Sequence, residues 1–518
     1  MAYQRLEITR PKGTNSDLSP YELPNDIWSD TSNVNFRNYR TNREVGYDQV
    51  FPALSIQPLF TIPWTDYSTN YWFYADETSI YRSEGTTQVD VTREVAAVKV
   101  PYTADFSTGW TGTAFNGALI LNNGVDAPQY FDVTSSNMDD LTAWPASYRA
   151  AVVRPYKNYL VAMDVTNNLG ERYPLLVKWS DSADAGTVPA SWDHTDPTTQ
   201  AGESVLPDTE GRIIDGRTLS DNFIIYKADS VWAMQFIGGN YVFSFRKIFS
   251  DIGALSRDCV VEFDGKHFVI GTGDVYIHDG STKQSVISNI VKNKLFTQIN
   301  ADYIERIKCV ADHSNNEIWI YYPDQDSTTG LASRALVWNW EVNAWSEKDL
   351  SDISYIAEGD MDPQLSDAWD DDSGTWDTDT SAWGEENYNP STKELIMCDY
   401  TNSKLYQANT TTTLNGVAYT SAVERTGLDF GDDLNVKYIN SITPHFSGEG
   451  TVSIYVGIEN RQGEGVLWGS PYTFIIGEDY KADFRKSGRY IALKFVSSTS
   501  DKWGLTGYTI EYETAGIR

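Results

Sequence analysis

The chain has 518 residues, with 40 Lys and Arg against 72 Asp and Glu, a formal charge of −32 at neutral pH. That is more chain than one compact core absorbs, so two or three domains are expected. So acidic a balance excludes a protein that grips nucleic acid by displacing counterions, and leaves room for one that surrounds nucleic acid without holding it.

Aromatic residues make up 13% of the chain, and Gly, Asp, Asn, Ser and Thr punctuate it every few residues. That texture favours many short strands over long helices. Three cysteines, Cys259, Cys309 and Cys398, stand without metal-ligand or disulfide spacing, as expected in a reducing compartment. The first residues hold no apolar export run, and no apolar window is long enough to span a membrane. The chain is therefore expected to be made and kept in the cytoplasm.

Residues 1–33 contain three prolines and no clear hydrophobic period. They read as an extended N-terminal arm that docks on the body or on a neighbouring subunit. From there a single pattern returns seven times: a short apolar run, a polar turn, then a second apolar or aromatic run. The copies are Tyr71–Ile80, Gly117–Phe131, Asn158–Thr166 with Leu175–Trp179, Asn222–Phe236, His267–Ile277, Glu317–Tyr322 with Ala335–Trp340, and Glu394–Tyr406. Most are separated by roughly 40 to 50 residues, the period of a four-stranded propeller blade. Residues 34–415 are thus expected to form a propeller body of about seven blades, with inserted rim loops near 180–211 and 347–390. An array of sandwiches without ring closure is the alternative. From residue 416 to 518 the alternation sharpens. Val452, Ile454, Val456 and Ile458 share one face, as do Ile491, Leu493 and Phe495, and then Tyr508, Ile510 and Tyr512. This reads as a C-terminal antiparallel β-sandwich. The expected fold class is all-β: propeller, N-terminal arm and C-terminal sandwich.

The most unusual stretch is the acidic insert around Asp367, Asp370, Asp371, Asp372, Asp377 and Asp379. It suits a channel mouth or tip, and lacks the closing glutamate of a calcium loop; an ordinary solvated loop is the plainer reading. Arg5, Arg10 and Lys12 in the arm are candidates to contact an adaptor or DNA, as are Lys283, Lys292 and Lys294, although surface salt-bridge partners look the same in sequence. Ser182–Gly186 (SADAG) partly matches the structural turn of sialidase-type propellers, with its aromatic displaced to Trp192. Gly271-Thr272-Gly273 reads as a hairpin, since no helix or Lys follows to complete a phosphate loop. The histidines His194, His267, His278, His313 and His445 have no paired-ligand spacing. No G-x-S-x-G elbow occurs, and Cys259 reads as a buried strand residue. No catalytic residue, metal or cofactor is expected.

Several segments resemble one family, the tail nozzle or tail tubular proteins of short-tailed bacteriophages, also called packaged-DNA stabilisation proteins. They are Asn25–Arg37 (NDIWSDTSNVNFR), Trp110–Asp132, Pro174–Asp193 with its LVKWSD and PASWD, Ile224–Gly253, Phe268–Gly280, and the closing GRYIALKF and GYTIEYETAGIR. They run in the family's order, with departures at Ser135–Tyr148 and Asp360–Asn389. The resemblance implies a non-enzymatic virion protein, assembled in the host cytoplasm and resident in the tail. It would form a hexameric homo-oligomeric ring below the portal–tail adaptor, meet fibres, spikes or a needle, and pass genomic double-stranded DNA without reading its sequence. The alternative from another class is a carbohydrate-binding or glycan-cleaving propeller. A peptide-binding scaffold is a third.

Overall fold

The seven apolar runs become the second strands of seven successive small sheets. The computed structural model describes residues 4–66, 69–84, 87–239, 241–361 and 393–516. Within it these second strands, from Thr69–Ala75 through Tyr159–Thr166 to Lys393–Asp399, are buried almost without a break. A strand inside one sheet, with a neighbouring sheet on each face, has no side for water. Its sequence therefore reads as a continuous apolar run instead of an alternating one.

Each blade has four antiparallel strands. Blade 1 runs Phe60–Asp66, Thr69–Ala75, Ile80–Glu84 and Thr87–Asp90. The innermost strands of the next five are Thr111–Phe115, Arg149–Tyr156, Ile213–Leu219, Val260–Phe263 and Lys308–Asp312. The seventeen-residue strand Ala344–Asp360 serves twice. Its first half is the outer strand of blade 6, paired with Ala332–Asn339, and its second half is the inner strand of blade 7, paired with Lys393–Asp399. Asp352, at φ +52°, marks the handover. Inner strands touch their neighbours all the way round, and blade 7 returns to blade 1. The molecule is a seven-bladed propeller.

Ring closure uses the beginning of the chain. Tyr47–Gln49 adds the outermost strand of blade 7 by pairing with Lys404–Ala408. The approach is tight enough to require a glycine before it: a Cβ at Gly46 would lie 1.8 Å from the Thr413 carbonyl oxygen. Closure leaves every inner sheet face covered, which a single blade cannot achieve.

The sandwich consists of two six-stranded sheets. Its core includes Val423, Ile439, Val452, Ile454, Ile491, Leu493, Phe495 and Ile510, the faces expected from alternation. The N-terminal residues do dock, and they dock as strands. Gln4–Thr9 pairs with Trp503–Thr514, and Asp30–Ser32 pairs with Ser421–Leu428. The boundary expected at residue 34 needs correction. The hairpin Val34–Arg37 and Arg40–Arg43 extends a sandwich sheet, and the propeller begins at Tyr47. Pairing across hundreds of residues supplies no local signal. The insert expected at 347–390 also shrinks, because residues up to Asp360 belong to the shared strand.

Between blades 5 and 6 lie a short helix, Lys292–Gln298, and a 3₁₀ turn, Ala301–Arg306. Lys283, Lys292 and Lys294 each face a carboxylate, on Asp251, Asp274 and Asp30 respectively. They are spent on intramolecular pairs.

Candidate functional site

The propeller axis gathers the most concentrated buried charge among the described residues. Arg154, on the inner strand of blade 3, donates through Nε and Nη2 to both oxygens of Asp215 in blade 4, at 2.8 and 2.9 Å. The same Nη2 lies 2.7 Å from Asp258 Oδ1, and Nη1 donates to the Gly112 carbonyl oxygen of blade 2 at 3.1 Å. Asp258, just before the inner strand of blade 5, also accepts from Arg217 at 3.0 Å and from Lys308 of blade 6 at 3.2 Å. Burial by itself would raise the Asp258 pKa. The Lys308, Arg154 and Arg217 charges overcome that and hold it well below the usual carboxylate range. Burial drives the Lys308 ammonium pKa down, and Asp258 offsets part of the fall. Five blades are thereby tied to one ionic knot. Its members pair with one another across the ring, which ties the inner strands together.

Above the knot an axial cavity of about 380 Å³ is lined by inner-strand residues of all seven blades, among them Ile62, Gly112, Arg154, Arg217, Val310 and Tyr355. It has room for roughly a dozen waters, far too little for a nucleic-acid strand.

Two buried histidines form a second polar element. Gly280 N–H donates to His278 Nδ1 at 3.1 Å, which leaves the proton on His278 Nε2, 2.5 Å from the Tyr226 hydroxyl. Tyr226 in turn meets His267 Nδ1 at 2.7 Å, and His267 Nε2 donates to the Thr218 carbonyl at 2.9 Å. Every polar atom in the chain of contacts is satisfied with both rings neutral. Burial pushes His267 down to about 3 and His278 to about 4. These rings are structural, as their strand positions suggested. His313 lines the axial cavity against Glu358, and His194 lies beside Lys178 and Glu203 on the rim.

The residues singled out from sequence do not converge. Arg5 pairs with Glu511 of its own sheet partner, and Lys12 pairs with Asp26. Arg10 is exposed, with its backbone N–H on Thr506. Asp367, Asp370, Asp371, Asp372, Asp377 and Asp379 lie outside the described residues. The SADAG turn sits on the blade 3 rim, where Asn116 of blade 2 donates to the carbonyls of Ala183 and Asp184. Gly271 and Asp274 close a hairpin, with Gly273 at φ +84°. Cys259 is buried, and burial pushes its thiol up to about 12. Among the described residues no group of His, Cys, Asp or Glu is placed to hold a metal ion, and no helix is long and apolar enough to cross a membrane.

The axial knot escaped the sequence reading. Its signal was a buried charge set beside apolar residues in a first strand: Arg154 in RAAVVRPY, Asp215 in IIDGRTL, Lys308 in KCVAD.

No family model matches the chain, and no curated protein matches it in sequence. Solved structures similar to it include the extracellular domain of the hybrid two component system BT3049 from B. thetaiotaomicron, at 8% identity and a TM-score of 0.41 over 84% of this chain. The chain spans about half the length of that structure, 49%. The AfRom2 CNH domain is similar at 7% identity and a TM-score of 0.36, over 70% of this chain and 96% of that one. YCF48 bound to D1 peptide is similar at 8% identity and a TM-score of 0.30, over 61% and 91%.

Proposed function

We propose that the chain is a structural subunit of a short-tailed phage tail nozzle, one of several copies around a channel that conducts and retains double-stranded DNA. The reading rests on the ordered resemblance of its segments to that family. The observation that carries it is the division of charge between the two halves. Residues 1–46 and 416–518, the sandwich with its N-terminal strands, hold 16 Lys and Arg against 19 Asp and Glu. Residues 47–415, the propeller, hold 24 against 53.

A propeller wall of that sign repels phosphate over a screening length of about 8 Å at physiological salt. DNA can then slide past it without sticking. A nearly neutral sandwich carries no such penalty for protein contacts. In this reading the protein works by shape and charge, with no chemical step.

The test is the mass of the full chain mixed with a portal–adaptor complex. A ring of several copies on the adaptor supports the proposal. A chain that stays monomeric beside that complex overturns it.

A further inference from the structure

The molecule has two poles of unlike character. The sandwich is fastened through Asp30–Ser32 and Val34–Arg37 to the strand shared by blades 6 and 7. One margin of the sandwich is therefore covered. The opposite margin is open in both sheets. It is formed by Leu467–Trp468 and Tyr472–Ile475 in one sheet and by Ala482–Gly488 in the other, each paired on one side alone.

Leu467, Ile475 and Tyr480 stand exposed along that margin at 67%, 39% and 79%. Beside them Glu478–Arg489 carries four cations against three carboxylates, a slightly positive stretch in a chain of net −32. Charged side chains on an open edge discourage indiscriminate strand addition.

Blade 3 lies three blades from the sandwich attachment in either direction round the ring, and so at the far side of the propeller. Its rim segment Ser180–Gly211 carries seven carboxylates and no Lys or Arg. The same blade exposes Leu169, Tyr173 and Val205, at 77%, 42% and 52%, and its outer strand Gly202–Val205 is open on one side. One pole is apolar and presents the cations Arg485 and Lys486 on its edge strand. The other is apolar with acidic neighbours.

We propose that these poles are the two halves of one contact, in which the open sandwich margin of one copy docks on the blade 3 rim of a second copy. The contact is head to tail. It uses different patches on each copy, so it propagates and gives a ring where the rotation closes. It is also the arrangement that lets copies of a strongly acidic protein associate, because it spares two propellers from facing each other. This deepens the nozzle reading and rests on it for the ring.

The experiment is sedimentation equilibrium of the full chain over a range of concentrations. Wild type should self-associate, and less so when salt is raised from about 0.05 M to about 0.5 M. The Arg485→Glu/Lys486→Glu variant should weaken association at least about tenfold. Adding Asp184→Lys and Glu210→Lys on the opposite pole should restore it, since reversing both signs recreates the attraction. Asp184 and Glu210 are exposed, so folding, checked by circular dichroism, should survive. If wild type does not self-associate, this contact is wrong, while the ring reading still stands or falls with the mixture of chain and portal–adaptor complex. If wild type associates and the Arg485/Lys486 reversal has no effect, or the swap fails to restore it, this contact alone is wrong and the ring must be built through other surfaces.

Discussion

Arg37 and Glu317 join the two halves of the molecule across 280 residues of chain, with guanidinium Nε and Nη2 at 2.7 and 2.8 Å from the two carboxylate oxygens. Arg37 ends the first strand of the sandwich hairpin, and Glu317 begins the second strand of blade 6. Close by, Asn33 donates to Asp349 at 2.7 Å and Lys348 meets Glu44 at 3.4 Å. The sandwich is thus bolted to the propeller by paired polar groups in a largely buried seam.

Arg37→Ala should cost about 3–5 kcal/mol, because it leaves the Glu317 carboxylate buried and uncompensated. Arg37→Lys should recover only part of this, since an ammonium cannot reproduce the two-pronged geometry. Urea denaturation measures both. An alanine variant within about 0.5 kcal/mol of wild type would mean that the pair does not hold the seam.

Asp312 sits next to this pair. It accepts from Asn315 and Asn409, yet burial and the neighbouring Glu317 charge raise it to about 6. Folded Asp312 therefore keeps a proton that the unfolded chain, near the ordinary carboxylate value of 3.8, has already lost. Its contribution to stability falls as pH rises from about 4 to about 6, by roughly 2 kcal/mol. Asp312→Asn should flatten the pH profile of stability across that window. An unchanged slope would show that the carboxyl ionises normally.

The histidine pair acts with the opposite sign. His267 and His278 are depressed to about 3 and about 4 in the fold against an ordinary value of 6.5. The stability of their neutral state is present above pH 6.5 and drains away as pH falls towards 4. Tyr226→Phe removes the hydroxyl between them and should cost about 2–4 kcal/mol through two buried, unpaired ring nitrogens. Nitrogen-15 spectra should show both rings as the Nε2–H tautomer in wild type. Imidazolium signals at pH 6 would refute the arrangement.

Ring closure makes its own forecast. Tyr47 is buried, with its ring 4.9 Å from that of Tyr406 in the adjoining strand. Tyr47→Ala should lose about 3–5 kcal/mol, a large effect for a three-residue strand. A loss below about 1 kcal/mol would mean that the ring does not depend on that strand.

What could be read from sequence divides along physical lines. The second strand of each blade announced itself, because burial on both faces demands an unbroken apolar run such as Leu160–Met163 or Ile318–Tyr322. The sandwich faces were equally plain, since alternation at Val452, Ile454 and Val456 reports one wet side. Tyr47–Gln49 was invisible. Three residues carry no period, and their partner strand begins at Lys404. The hairpin Val34–Arg43 was assigned to the propeller for the same reason, as its partners lie at the far end of the chain. At the axis, Arg154, Asp215, Asp258 and Lys308 lie far apart in sequence, and ring closure alone brings them together.

The central claim is a propeller-and-sandwich subunit arranged around a DNA channel, with the channel outside each propeller. Single-particle images of an assembled tail containing this chain test it most directly. The account predicts several copies encircling one axis, acidic propeller surfaces facing a lumen wide enough for a duplex, and the small axial cavity of each propeller closed to DNA. Density for a lone copy at the tail periphery, or for nucleic acid threading a propeller, would contradict it.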